Sequence, residues 1–226
     1  MRVGEFLASY PGENGRVFEW IELRRQGDVW MGQVTRLGAG GGSTHLRSRS
    51  GNADGFIAEL GAVGAATAIL DLSVVERGEG EMVLSGQRVE LGQDGANGGR
   101  AAFMAEYDAR VAIQTSAIHG HGVFAQRDLA SGEIITVIRG EMTKLQTPHS
   151  ARITDQVHCE PTGYLRYINH CCQANSVIDA SDPARPLLRA NRAIRAGEEV
   201  NFDYIENEGE IVGGFACQCP ATRHRF

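Results

Sequence analysis

The chain has 226 residues, 42% of them apolar, and a formal charge of −6. This is enough apolar material to bury a core in one compact domain, or in one domain plus a smaller companion, which argues against general disorder. The acidic balance argues against direct nucleic-acid binding of the sequence-independent kind, which needs a basic surface to displace counterions from phosphate, and suits a basic peptide better. No apolar run approaches the roughly 20 residues that span a bilayer, and Met1-Arg2-Val3-Gly4-Glu5 begins no apolar signal region, so no membrane is expected and the location reads as soluble and intracellular.

In chain order, 17–23 and 29–37 read as paired strands about a turn at Gln26-Gly27-Asp28, because β-branched and aromatic residues alternate with polar ones. A glycine-rich break at 38–43 follows, then a short helix at 54–63. A second hairpin is expected from 68–76 and 82–91, with Gly78-Glu79-Gly80 at its turn. The glycine-rich run 92–99 suggests a domain boundary. Residues 1–100 thus read as a small α+β module of β-β-α-β-β order, in which no chemical motif is visible. Beyond Arg100 short apolar runs separated by glycine and proline suit a mostly β domain of small irregular sheets.

Three stretches of that second part carry candidate chemistry. The first, Ile118-His119-Gly120-His121-Gly122-Val123-Phe124-Ala125, places two glycines ahead of an apolar strand. Such glycines allow close backbone approach to a ligand, although a tight turn between strands needs the same pattern. The second, Arg166-Tyr167-Ile168-Asn169-His170-Cys171-Cys172-Gln173-Ala174-Asn175, crowds polar and thiol side chains between apolar strand formers. Buried polar groups must be satisfied, so this crowding marks a site more often than a solvated loop. The third is Gly197-Glu198-Glu199-Val200-Asn201-Phe202-Asp203-Tyr204, followed by Cys217-Gln218-Cys219. The five cysteines form an odd set, and in a reducing compartment the grouping of Cys171, Cys172, Cys217 and Cys219 points to metal or chemistry before disulfides.

In this order the motifs resemble the SET-domain family of protein lysine methyltransferases, over roughly residues 115–226. The resemblance implies a SET β-fold with a pseudoknot in residues 101–214 and a post-SET-like zinc tail in 215–226. It implies S-adenosylmethionine as cofactor, held near His121, Gly122, Arg166, Asn169, His170 and Tyr204. The catalytic tyrosine would be Tyr204, with Phe202 at the position that limits how many methyl groups fit, and phenylalanine there implies di- or trimethylation. Zinc would be held by Cys172, Cys217, Cys219 and His224, with histidine where the family tail has its third cysteine and Cys171 a bystander. Imidazole is an ordinary zinc ligand, so Cys3His is a workable closed site.

The sequence departs from the family at Ile138, where tyrosine is common, at Ala174, where proline is usual, and in a short insert between Glu141 and Asn169. The expected substrate is a lysine-containing protein or peptide. A free amino acid or other small amine as acceptor, and a catalytically silent SET module that binds a partner, stand as alternatives.

Overall fold

Alternation of apolar and polar residues runs through the first hundred positions, and there it builds strands alone. The computed structural model describes the chain apart from residues 1, 13–14, 38–41, 53–54, 63–64, 77–80, 92–96, 215 and 222–226. Two units result, 1–108 and 109–226. The first is a closed barrel of eight strands in sequence order, each antiparallel to the next: β1 (Arg2–Gly12), β2 (Gly15–Gln26), β3 (Val29–Arg36), β4 (Ser43–Gly51), β5 (Gly55–Ala62), β6 (Ala65–Glu76), β7 (Glu81–Leu91) and β8 (Asn97–Asp108). Closure comes from β1 on β8, with Ala8 opposite Ala105.

Alternate residues of these strands supply one buried cluster, including Phe6, Ala8 and Tyr10 of β1, Trp30 and Val34 of β3, and Phe103 and Ala105 of β8. Eight strands leave an interior that side chains can fill, and small residues alternating with aromatics fill it here. Trp30 stacks on Phe56 at 4.7 Å between ring centroids. A side chain at Gly86 would run into the Asp71 carbonyl, so glycine lets β6 and β7 approach at that point.

Both expected hairpins of this unit are present as β2–β3 and β6–β7, although the turn at Gly78-Glu79-Gly80 lies outside the described residues. The helix expected at 54–63 is instead strand β5, so the unit is all β and not α+β. Ala58, Glu59 and Leu60 favour a helix intrinsically, but Phe56, Ala58 and Leu60 also repeat at period two. Pairing with both β4 and β6 buries that face and overrides propensity. The boundary falls at 108/109 and not at 100, because 97–108 is the strand that closes the barrel.

The second unit is built of short strands, as its punctuated sequence predicts. They are β9 (Val111–Thr115), β10 (His121–Ala125), β11 (Ile134–Val137), β12 (Gly140–Thr143), β13 (Ala151–Thr154), β14 (Val157–Pro161), β15 (Asn169–His170), β16 (Ser176–Asp179), β17 (Leu187–Ala190) and β18 (Glu199–Phe202). A 3-10 turn, Tyr164–Tyr167, precedes β15, and one short helix, α1 (Tyr204–Glu208), follows β18. One sheet runs β11-β17-β16-β18-β10-β9 with β15 also on β18, and a three-stranded sheet runs β12-β14-β13. No described helix is long and apolar enough to cross a membrane.

Two turns of the same pattern, Leu129-Ala130-Ser131-Gly132-Glu133 and Ile194-Arg195-Ala196-Gly197-Glu198, set the entry to β11 and β18. Gly132 and Gly197 both take φ 81°, a left-handed conformation that other residues adopt at a cost. Leu129 and Ile194 exchange both backbone hydrogen bonds, which ties the two turns together. The strand carrying the third motif is thereby fixed at its start.

Candidate active site

Strand β18 is the axis on which the motifs meet. Its Asn201 and Phe202 lie beside Asn169 and His170 of β15, in parallel register, while Val200 and Glu199 pair with Val123 and Phe124 of β10. Asn175, which is fully buried, locks the loop after β15 to the same strand. Its Oδ1 accepts from Asn201 N at 2.9 Å, and its own N–H donates to Asn201 Oδ1 at 3.1 Å. Its Nδ2 donates to Glu199 O at 2.8 Å. Buried asparagine can meet backbone partners in this way where an apolar residue would leave them unsatisfied.

Asn169 acts as a clamp at the next level. Its Nδ2 donates to Glu199 Oε1 at 2.7 Å, and lies 3.2 Å from His119 O and 3.1 Å from His121 O. Ser116 Oγ donates to the same Glu199 carboxylate at 2.8 Å. That carboxylate occupies the space a Cβ at Gly122 would need, so the second glycine of the first motif makes room for Glu199. Gly120, with φ 48°, turns the exposed segment His119–His121 over this clamp. An edge of polar backbone atoms thus faces solvent beside Asn169 and the ring of Tyr167, which His121 meets edge-on at 6.3 Å.

Tyr204 follows β18 at the first position of α1. Asp203 precedes it as the helix cap, accepting from Ile205 N at 3.0 Å and Glu206 N at 3.3 Å. Acceptance of these otherwise unpaired amides is what an N-cap carboxylate supplies. The Tyr204 hydroxyl donates to Ile168 O at 2.6 Å, and its ring packs 4.8 Å from Phe202 and 5.3 Å from His170. Burial, then the nearby Glu199 charge, raises the phenol well above its ordinary value, so it is a hydrogen-bond donor and not a base. A cavity of about 50 Å³ is lined by Phe202 and Tyr204 with Leu165, Arg166, Ala151 and Ile211. Arg166 is held at its edge by Glu160 at 2.7 Å.

The thiols form a second cluster beside this one. Cys172 Sγ lies 3.7 Å from Cys217 Sγ, Cys217 lies 3.3 Å from Cys219, and His170 Nε2 lies 3.2 Å from Cys172 Sγ. The ligand atoms of His170, Cys172, Cys217 and Cys219 all fall within 4.8 Å of one another. Sulfurs on one tetrahedral zinc, each at about 2.3 Å, stand about 3.8 Å apart, so the donor set fits that ion in both type and spacing. Burial opposes ionisation of Cys219, yet backbone N–H groups of Cys172 and Ala221 and the thiols of Cys217 and Cys171 outweigh it and draw its thiol down to about 6. Burial, and the hydrogen bonds its thiol makes with Cys219, to which it donates, and Cys172, push Cys217 up to about 12. Cys159 is apart from the cluster, fully buried, its thiol raised by burial to about 11.

Of the residues the sequence singled out, Asn169, His170, Phe202 and Tyr204 come together, with His121 and Gly122 joined to them through Asn169 and Glu199. Cys172, Cys217 and Cys219 gather as expected, whereas His224 lies outside the described residues. Cys171 is buried against the thiols but outside the set of ligand atoms. Glu199, Asn175, Asn201 and Asp203 were not singled out. Only Asp203 carried a local signal, the spacing Asp203-x-x-Glu206 ahead of a short helix, which is a capping pattern.

Residues 120–205 match the family model described as "SET domain". The histone-lysine N-methyltransferase trithorax of Drosophila melanogaster is 29% identical over 140 residues, covering 53% of this chain and 4% of the relative. Histone-lysine N-methyltransferase 2B of Homo sapiens is 29% identical over 135 residues, covering 51% of this chain and 5% of its own. The H3 lysine-4 specific enzyme of Saccharomyces cerevisiae is 28% identical over 133 residues, covering 49% and 12%. The chain therefore spans a small part of the length of the curated relatives it matches. Among solved structures, the polycomb repressive complex 2 of Chaetomium thermophilum is similar at 24% identity and a TM-score of 0.36, over 42% of this chain and 15% of that one, a likeness too slight to build on. The meeting of the motifs on β18 falls within the stretch, residues 120–205, that matches the SET-domain model.

Proposed function

We propose that the chain is an S-adenosylmethionine-dependent N-methyltransferase acting on a lysine side chain of a protein. The observation that carries this reading is the placement of Tyr204, its hydroxyl on the Ile168 carbonyl and its ring near those of Phe202 and His170, in the wall of a cavity. When bound, S-adenosylmethionine would supply a methyl group on a positively charged sulfur. The exposed edge His119–His121, backed by Asn169, Glu199 and the backbone of His170, fits the polar end of such a molecule. Arg166, Tyr167 and Tyr204 complete the proposed binding region.

The residues themselves have two tasks. They must align an amine with the methyl group, since transfer in line depends on proximity and orientation. They must also receive the amine uncharged. A free lysine has a pKa of about 10.4; Leu165, Phe202, Ile211 and Val212 give the cavity an apolar side that disfavours the ammonium form, beside the polar Arg166 and Glu208. Tyr204 donates a hydrogen bond throughout and takes no proton. Glu208 in the lining of the cavity favours a basic protein segment as acceptor. The relatives' names point the same way, toward histones as one acceptor class.

Zinc belongs to the same proposal, held by Cys172, Cys217 and Cys219 with His224 as fourth ligand, in a tail of residues 215–226. Its role is structural, joining that tail to the loop that follows β15.

Calorimetric titration of the full chain with S-adenosylmethionine tests the reading at its base. Binding at one molecule per chain is expected. Absence of heat at millimolar cofactor would overturn it, and binding without transfer to free lysine, peptides or whole-cell protein would favour a silent SET module.

A further inference from the structure

Lys144 is the only lysine in the chain: of 22 lysines and arginines together, the other 21 are arginine. It is exposed and follows directly on β12, at a turn in which Leu145 N donates to Thr143 Oγ1 at 3.0 Å. Exposed apolar side chains stand on both sides of it, Met142 at 49% and Leu145 at 73% exposure, and they offer contact area to another chain. From Met142 to Ala151 the sequence carries no carboxylate, so this is a basic segment of the kind proposed above as acceptor. Two residues after Lys144, Gln146 lines the cavity that Tyr204 and Phe202 also line. The single lysine of the chain thus stands beside the rim of the proposed lysine site.

The segment that follows Lys144 is fastened into the wall of that cavity. Gln146 Nε2 donates to Glu208 Oε2 at 3.1 Å and to Glu210 O at 2.7 Å, and Thr147 N donates to Ser150 Oγ at 2.9 Å. Two residues span at most about 7 Å, so Lys144 could enter its own cavity only if the chain reversed on itself and released the Gln146 bonds. A second molecule meets no such constraint. We propose that Lys144 is a methylation site of this chain, modified in the cavity of a second copy. The inference rests on the methyltransferase reading above. The Lys144 amine, having lost its proton to solvent, forms the new N–C bond with its lone pair as the methyl–sulfur bond of S-adenosylmethionine breaks. The electrons of that bond stay on sulfur, leaving a neutral thioether, and the methylated amine is a cation that loses a proton to solvent before any further transfer.

The test uses the full chain with methyl-labelled S-adenosylmethionine, as native protein, Lys144→Arg and Tyr204→Phe. Native protein is expected to label itself, with all label in the segment between Arg139 and Arg152, and doubling its concentration should double the rate per chain. Lys144→Arg should take up no label while labelling whole-cell protein as the native chain does. Mixed with Tyr204→Phe, which supplies unmodified acceptor, Lys144→Arg should place label on Lys144 of that inactive chain. Native protein that labels whole-cell protein and not itself would overturn the inference and leave the methyltransferase reading standing, whereas label on neither would overturn that reading first. Self-labelling at a rate per chain independent of concentration, with none passed to Tyr204→Phe, would put the transfer within one chain and overturn the role of a second copy. Label retained by Lys144→Arg would overturn the site.

Discussion

Tyr204 and Phe202 sit two residues apart at the end of one strand, and each makes a separate prediction. The Tyr204 phenol is raised by burial and by Glu199, so it stays protonated beyond the ordinary tyrosine pKa of about 10. It therefore contributes no basic limb to the rate. Tyr204→Phe should lower turnover on the order of a hundredfold, as loss of one preorganised donor does, while the pH profile keeps its shape. A profile that loses its basic limb in the variant would make the phenol a proton acceptor. Phe202 is buried and has no hydroxyl to hold a water in the cavity beside Tyr204. A water with fewer partners is more easily displaced by added methyl groups, so native protein should give di- or trimethyl product and Phe202→Tyr should stop earlier. Mass spectrometry of the product at long times reads this directly, and identical product distributions would place the limit elsewhere.

The elements that hold these residues depend on buried amides more than on apolar packing. Asn175→Ala would leave the Asn201 backbone amide without its partner, at about 1–3 kcal/mol for a buried group, and the Glu199 carbonyl with only the bond from Asn201 Nδ2. Asn191, whose side chain donates to Ala174 O at the exposed surface, should cost little when changed to alanine. Urea unfolding of the two variants should separate them clearly. Equal stability would mean the Asn175–Asn201 lock is dispensable. Much of this element scale was legible beforehand, because β2–β3 and β6–β7 are local pairs whose alternation is visible in sequence. The motif residues were legible as motifs. What was not legible is the work of Glu199, Asn175 and Asn201, since their partners lie 24 to 83 residues away and no spacing announces such contacts.

At the scale of the whole molecule, the barrel of residues 1–108 carries a buried ionic group among its aromatic core. Tyr10 donates to Glu19 at 2.8 Å, Arg88 donates to Glu19 at 3.2 Å and to Glu90 at 2.7 Å, and the Arg88 guanidinium lies 4.6 Å from the Tyr10 ring centre. Removing one partner of a buried pair leaves the other uncompensated, at about 3–5 kcal/mol, whereas replacing both with apolar groups can be nearly neutral. Arg88→Met should thus lower the unfolding midpoint of the full chain markedly, and Arg88→Met with Glu19→Leu should recover part of it. Additive losses would show that the charges act independently. Closure of this barrel was hidden from sequence because β1 and β8 are joined only through a contact between chain ends of the unit. The helix expected at 54–63 failed for a related reason, as Ala58, Glu59 and Leu60 answer to strands on both sides and not to their own propensity.

The central claim concerns transfer of a methyl group, and it is tested most directly by incubating the full chain with methyl-labelled S-adenosylmethionine and whole-cell protein, then locating the label by mass spectrometry. The account predicts label on lysine side chains of protein acceptors, nearly absent with Tyr204→Phe. Label confined to small amines would contradict the proposed acceptor, and full labelling by Tyr204→Phe would contradict the proposed site.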